Sequence, residues 1–244
     1  MLKKTFCHIE GISENSEKIL WKNNINSWNE FLNNFENISC LPLFKLKKIK
    51  SELYFSNQKL KNGDILYFKD KLSSKIHHRL VNYGKIAYLD IETTGLSKYT
   101  DIITMIGIYD GKTAKSYVAG FDLEKAYEKL KQYDIIVTFN GKCFDMPFIE
   151  YKSKQKFNYI HLDLRYMLKE FGLSGGLKKI EKQLNIVRDK EVAEVDGFEA
   201  VRLWRRYKKG DKEALRILLK YNKEDIINLK YLLNWYLDKK KLEY

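Results

Sequence analysis

The chain has 244 residues, 44% hydrophobic and 14% aromatic, enough to bury a core and to exclude a disordered or fibrous polymer. Lys plus Arg number 45 against 32 Asp plus Glu, a formal net charge of +13. That surplus points to a polyanionic partner, nucleic acid before an acidic membrane.

No run approaches the ~18 apolar residues of a spanning helix, and the first residues lack the apolar stretch of a signal peptide. Cys7, Cys40 and Cys143 are widely spaced. They suit a reducing cytoplasm better than a disulfide scaffold or a zinc site. Pro42 and Pro147 are the only prolines, so long helices and strands are permitted.

Two regions are expected. Residues 1–80 read as a small helical and extended region, and residues 81–244 as a larger, more regular domain. In the first, 16–21 and 27–35 read as short amphipathic helices with Ser16 and Ser27 as N-caps. Their joint, Lys22-Asn23-Asn24-Ile25-Asn26, is rich in turn residues. The order is that of a helix-hairpin-helix, but the joint lacks the glycine-rich hairpin, and a packing appendage is the better reading. Residues 45–50 alternate basic and apolar side chains and read as a solvated edge or linker.

In the second region, 85–92, 101–109 and 114–120 read as three successive strands, the last two joined by an Asp110-Gly111 turn of hairpin type. A helix is expected over 122–132. Residues 134–139 form the continuous apolar run of a buried parallel strand. A helix from Asp145, a strand over 158–162, and helices over 164–171, 177–184, 197–207 and 212–221 follow, with a long one to about 238. Three antiparallel strands beside two parallel ones, flanked by helices, make a mixed five-stranded α/β sheet.

The first strand delivers Asp90 and Glu92 to one face of the sheet, because residues two apart share a face. Paired carboxylates at the end of an apolar strand repel, and burial raises the cost of ionising either. A divalent cation removes both penalties, and oxygen ligands favour Mg2+ or Mn2+ over zinc. Asp145 stands at the carboxyl end of a second apolar strand and the start of a helix, the edge where parallel α/β sheets place their sites. Tyr221 and Asp225 are four apart on one helix face. Each piece alone has an ordinary structural explanation: a turn, an N-cap, a surface pair.

Together, Asp90-Ile91-Glu92, Asn140-x-x-x-Phe144-Asp145 and Tyr221-x-x-x-Asp225 resemble the three exonuclease motifs of the DnaQ-like superfamily. The tyrosine corresponds to the DEDDy branch; the DEDDh branch would have a histidine where this chain has Lys220. The segments Ser174–Lys182, Asp196–Trp204 and Phe6–Ile12 look like the YprB-like exonuclease family, whose fold is ribonuclease H-like. The resemblance makes 81–244 an exonuclease domain.

It implies two divalent cations, Mg2+ or Mn2+, about 4 Å apart. Asp90 would bridge both, Glu92 and Asp225 would hold the ion on the nucleophile side, and Asp145 would support the other. Tyr221, as an unperturbed phenol, is too weak a base at neutral pH to abstract a proton; positioning of water is its expected role. The expected reaction is release of 5′-mononucleotides from the 3′ end of a single strand, DNA ahead of RNA. In similar enzymes the turn after the first motif meets the terminal nucleotide. Here it carries Thr93, Thr94 and Leu96, and Asn140 and Phe144 are the other contact candidates.

Two alternatives stand beside this: a catalytically silent single-strand-binding module, and a structure-selective endonuclease on the same fold. Binding alone needs no clustered carboxylates facing a phosphate, and the Tyr221/Asp225 pair favours the exonuclease. Arg202, Arg205, Arg206, Lys208, Lys209 and Lys212 surround Trp204 and Tyr207. They read as a single-strand track or as an amphipathic helix with a basic face, the second being favoured. His77, His78 and His161 have no ligand spacing and read as structural.

Overall fold

Ser13, not Ser16, opens the first helix: its hydroxyl accepts from the Ser16 N–H at 3.3 Å, satisfying an amide with no intrahelical partner. The computed structural model describes residues 1–241. The chain divides into two units, Met1–Gly84 and the remainder from Lys85.

The first unit holds α1 (Glu14–Lys22), α2 (Trp28–Asn33) and α3 (Leu43–Lys61), followed by short 3-10 turns. Ser27 caps α2 as expected, accepting from the Glu30 N–H at 3.2 Å. Residues 45–50 lie inside α3, not in a linker. Leu46, Ile49 and Leu53 are buried at helical spacing, so the local alternation was the trace of one helical stripe. No strand occurs among the described residues of this unit, and its extended backbone is confined to the joints between helices.

Its core is aromatic, with Phe6, Trp28, Phe31 and Phe68 fully buried. Glu17 is buried among three donors, the Thr5 hydroxyl, the Phe6 N–H at 2.6 Å and the Arg79 guanidinium at 2.7 Å. Such an ion pair is tolerated in a core because every oxygen is satisfied.

The second unit contains β1 (Ile86–Thr93), β2 (Ile103–Tyr109), β3 (Ala114–Val118), α4 (Leu123–Leu130), β4 (Ile135–Thr138), α5 (Asp145–Ser153) and β5 (Ile160–Asp163). The helices α6 (Leu164–Lys169), α7 (Leu177–Gln183), α8 (Gly197–Lys208) and α9 (Lys212–Lys241) complete it. The sheet runs β3-β2-β1-β4-β5. β1 pairs antiparallel with β2 and parallel with β4; β2–β3 is antiparallel and β4–β5 parallel. This is the mixed five-stranded sheet anticipated from the order of elements, and its topology is ribonuclease H-like, as the resemblance implied.

Alternation along β1 sorts its side chains between two cores. Leu89 and Ile91 join Ile106, Ala126, Leu130, Phe148 and Ile149 against α4 and α5. On the opposite face Met105 and Val118 pack on Ala200, Leu203, Trp204, Ala214 and Leu218 of α8 and α9. Each large apolar side chain so buried contributes roughly 1.5–3 kcal/mol.

The two helices expected over 212–238 are one, the 30-residue α9. No Pro or Gly interrupts it. The apolar stripe is broken at Asn222, Asp225 and Asn228, which are nevertheless buried. Polar residues on a helix's buried face mark where it crosses a site. No helix among the described residues is long and apolar enough to cross a membrane.

Candidate active site

Asp90 and Glu92 sit on the α9 side of β1, and α9 brings Asp225 to them. One carboxylate oxygen of each lies within 4.8 Å of the others. Glu92 is 7% and Asp225 3% exposed. The buried Glu92 and Asp225 and the half-buried Asp90 therefore meet at the end of the central strand, where like charges so close repel.

Asn222 fastens α9 over this point. Ser116, Gly107 and Asp90 are in register across β3, β2 and β1. The fully buried Asn222 bridges all three. Its Oδ1 accepts from the Ser116 hydroxyl at 2.7 Å and its Nδ2 donates to Asp90 Oδ2 at 3.1 Å. A Cβ at position 107 would stand 2.3 Å from Asn222 Oδ1. Gly107 is thus a mid-strand glycine required by close approach.

Asp145 opens α5 and is 4% exposed. Its Oδ1 accepts from the Ile91 N–H at 3.2 Å, which ties it to β1 beside the triad. The turn that presents it is clamped by Asp163. That carboxylate accepts from the backbone N–H groups of Asn140 (2.8 Å), Lys142 (2.9 Å) and Arg165 (3.1 Å). Asn140 has φ +67°, a left-handed conformation that asparagine tolerates, and its side-chain oxygen accepts from Arg165 at 2.7 Å.

An arginine lies among the acids. The Arg188 guanidinium bonds Glu181 through Nε at 2.6 Å and Nη2 at 2.7 Å, and Nη2 also pairs with Asp225. All three side chains are 5% exposed or less. Asn228 donates to Glu181 Oε1 at 2.9 Å. The segment carrying Arg188 is held to α9 by Lys220, which pairs with Asp189 and Glu191, each at 2.8 Å.

The electrostatics follow from burial first and neighbouring charge second. Burial, then the charges of Asp225, Glu92 and Asp145, hold Asp90 well above the usual carboxylate range. Burial, then Asp225 and Asp145, does the same to Glu92. Burial pushes Asp145 up to about 7. Asp225 is pushed by burial to about 6, with Arg188 opposing the rise. An all-oxygen, desolvated donor set that resists ionisation only for want of positive charge fits a hard divalent cation.

Tyr221 is half-buried, with Lys178 Nζ 5.5 Å and Arg188 Cζ 5.6 Å from its ring. Burial, then Asp225 and Glu92, hold its phenol well above the ordinary value, so the hydroxyl keeps its proton.

Thr93 is 8% exposed, its hydroxyl bonded to Gly95 O at 2.6 Å. The Thr94 hydroxyl donates to Asp101 at 3.2 Å, and Leu96 is 82% exposed at the tip of the turn. Phe144 is half-buried against Phe148 at 5.4 Å. His161 bonds Thr138 at 2.9 Å, and burial lowers it to about 4. Along α8, Trp204 is buried, Arg206 pairs with Asp211 and Arg202 with Glu199. The basic run is one face of an amphipathic helix.

Sequence reasoning missed Asn222, Gly107, Arg188, Glu181 and Asp163. An isolated glycine inside the strand pattern was a usable signal for Gly107. Asp163 immediately before a helical pattern was one for a cap. Arg188 lies in an irregular segment with no local pattern.

No curated protein matches the sequence. Among solved structures, the fold is similar to the family B DNA polymerase from the hyperthermophilic archaeon Pyrobaculum calidifontis. The TM-score is 0.51 with 16% identity, over 65% of this chain and 24% of that one; this chain spans about a quarter of the polymerase. Brucella melitensis NrnC bound to pGG gives a TM-score of 0.46 at 20% identity, over 66% and 78%. NrnC with bound Mg2+ gives 0.43 at 21%, over 66% and 78%. Residues 87–237 match the model of the RNase_H superfamily, and the chain belongs to that superfamily.

Proposed function

We propose that the chain is a metal-dependent 3′→5′ exonuclease of the DnaQ-like, DEDDy type, akin to the YprB-like family, acting on single-stranded nucleic acid and releasing 5′-mononucleotides. The observation that carries this reading is the meeting of Asp90, Glu92 and Asp225 within 4.8 Å beneath Tyr221. The reaction belongs to the unit that begins at Lys85.

Asp90, Glu92 and Asp225 would hold a pair of divalent cations, Mg2+ or Mn2+, with Asp145 in support. When bound, the cations supply positive charge that stabilises the phosphoryl transition state and acidifies the attacking water. The chain's own groups do the rest. Arg188 favours the ionised, ligating form of Asp225. The protonated Tyr221 hydroxyl orients the water by hydrogen bonding. The turn bearing Thr93, Thr94 and Leu96 meets the last nucleotide, with Asn140 and the half-buried Phe144 ring as further contacts.

The test is incubation with 5′-labelled and 3′-labelled single strands, DNA and RNA side by side, with Mg2+, with Mn2+ and with EDTA. A stepwise ladder from the 3′ end, abolished by EDTA and by Asp90→Ala or Asp225→Ala, supports the proposal. Internal cuts would make the chain an endonuclease. Retardation without cleavage would make it a binding module. Full activity in either alanine variant overturns the residue assignment.

A further inference from the structure

A row of aromatic side chains leads along α5 away from the carboxylates. Phe144 packs on the buried Phe148, and one turn further Tyr151 is 46% exposed. Tyr151 meets Tyr99, which comes from the turn after β1 and is 68% exposed. Their ring centroids are 5.1 Å apart at 78°. Lys98 Nζ stands 5.4 Å from the Tyr99 centroid and 5.9 Å from that of Tyr151; Lys152 Nζ stands 5.6 Å from Tyr151. Among the described residues neither lysine has an acidic partner.

This differs from the basic run on α8, whose tryptophan is buried and whose arginines 202 and 206 are paired. Here the rings are partly exposed and the lysines have no acidic partner among the described residues. The two rings meet edge to face with ammonium groups over them, and their remaining exposed surface offers stacking to bases while the lysines offer charge to phosphates. A polyanion with aromatic bases is the partner that uses both.

We propose that Tyr99 and Tyr151, with Lys98 and Lys152, form a stacking platform for a single strand whose 3′ end lies at the carboxylates; this rests on the exonuclease reading above. Tyr151 is six residues beyond Asp145, a rise of about 9 Å. At about 3.4 Å per stacked base, the platform takes bases two to three nucleotides inward from the cleaved end. Strands too short to reach it would bind through the terminal contacts alone.

The experiment measures KM and kcat for oligonucleotides of two to eight residues, of DNA and of RNA, in Mg2+. For the unaltered chain, KM falls as length passes about three residues. A Tyr99→Ala/Tyr151→Ala double variant raises KM for the long strands roughly 5- to 100-fold, leaving kcat and dinucleotide KM unchanged. Tyr99→Phe/Tyr151→Phe keeps the rings and the length dependence. An abasic position three residues from the 3′ end weakens binding to the unaltered chain but not to the alanine variant. Lys98→Gln/Lys152→Gln reduces the slope of log affinity against log salt by about 1.4.

A KM independent of length, or an alanine variant that weakens dinucleotides as much as octamers, overturns the platform while the exonuclease reading stands. A chain inert towards every strand removes that reading, and the platform with it.

Discussion

Gly107 leaves the space that Asn222 fills: a Cβ at residue 107 would stand 2.3 Å from the asparagine oxygen, and from that space Asn222 reaches Asp90 at 3.1 Å. A ligand carboxylate is oriented by its outer partner, and loss of such partners typically costs 10–100-fold in metal affinity. Gly107→Ala and Asn222→Ala should therefore weaken Mg2+ binding by about that factor, read by calorimetry. Asn222→Ala also removes the hydrogen bond to the half-buried Ser116 hydroxyl, costing about 0.5–1.5 kcal/mol in denaturant unfolding. Wild-type Mg2+ affinity in Gly107→Ala would show that Asn222 does not orient Asp90.

Arg188 is a buried cation paired directly with Asp225 and Glu181 in the acidic cluster. Breaking a buried pair by removing one partner leaves the others charged and unpaired, typically at a cost of 3–5 kcal/mol. Arg188→Met should lose about that much stability near neutral pH. It should also move Asp225 further above its present value of about 6, since the guanidinium now opposes the rise. The acidic limb of the pH–rate profile would shift upward, a change that a purely structural arginine would not cause. Arg188→Lys should recover part of the stability but not the two-pronged contact with Glu181.

The sheet was legible because its signals are local. Alternation in β1 and a continuous apolar run in β4 are set by neighbours along the chain. Asp90, Glu92, Asp145 and Asp225 were legible as a set, through the joint resemblance of three motifs, and not from any one element alone. The continuity of α9 was hidden because Asn222 and Asp225 put polar groups on its buried face, which mimics a break. The residues 45–50 were misread because six residues are too few to separate period 2 from period 3.6. Arg188 and Glu181 were invisible for a different reason. Arg188 pairs with Asp225 across 37 positions of chain, and Glu181 bonds Arg188 and, 47 positions on, Asn228; no propensity encodes that.

Tyr221 is held above its ordinary pKa by burial and by the Asp225 and Glu92 charges. A phenol so placed donates or accepts a hydrogen bond but does not surrender its proton. Tyr221→Phe should lower kcat about 10- to 100-fold, within the range of a lost positioning contact, and leave Mg2+ affinity and the pH profile unchanged. A pH limb that disappears in Tyr221→Phe would instead identify the tyrosine as a general base.

The raised carboxylates make stability itself depend on metal and pH. A carboxylate whose folded pKa exceeds its unfolded value of about 4 binds more protons in the native state, so its contribution is full below that value and is lost as pH rises through the folded pKa. For Asp145, at about 7, and Asp225, at about 6, the window runs from roughly pH 4 to 7. The loss is of the order of 3 kcal/mol per group. In EDTA, the melting temperature should therefore fall between pH 5 and pH 8, and Asp145→Asn should flatten that slope. Mg2+ binds the deprotonated acids, so its stabilisation should be small at pH 5 and large at pH 8. At a hundred times its Kd it should reach about 2.7 kcal/mol. Thermal unfolding across this grid decides the matter. An equal Mg2+ effect at both pH values would mean that the cation binds elsewhere than at these four carboxylates.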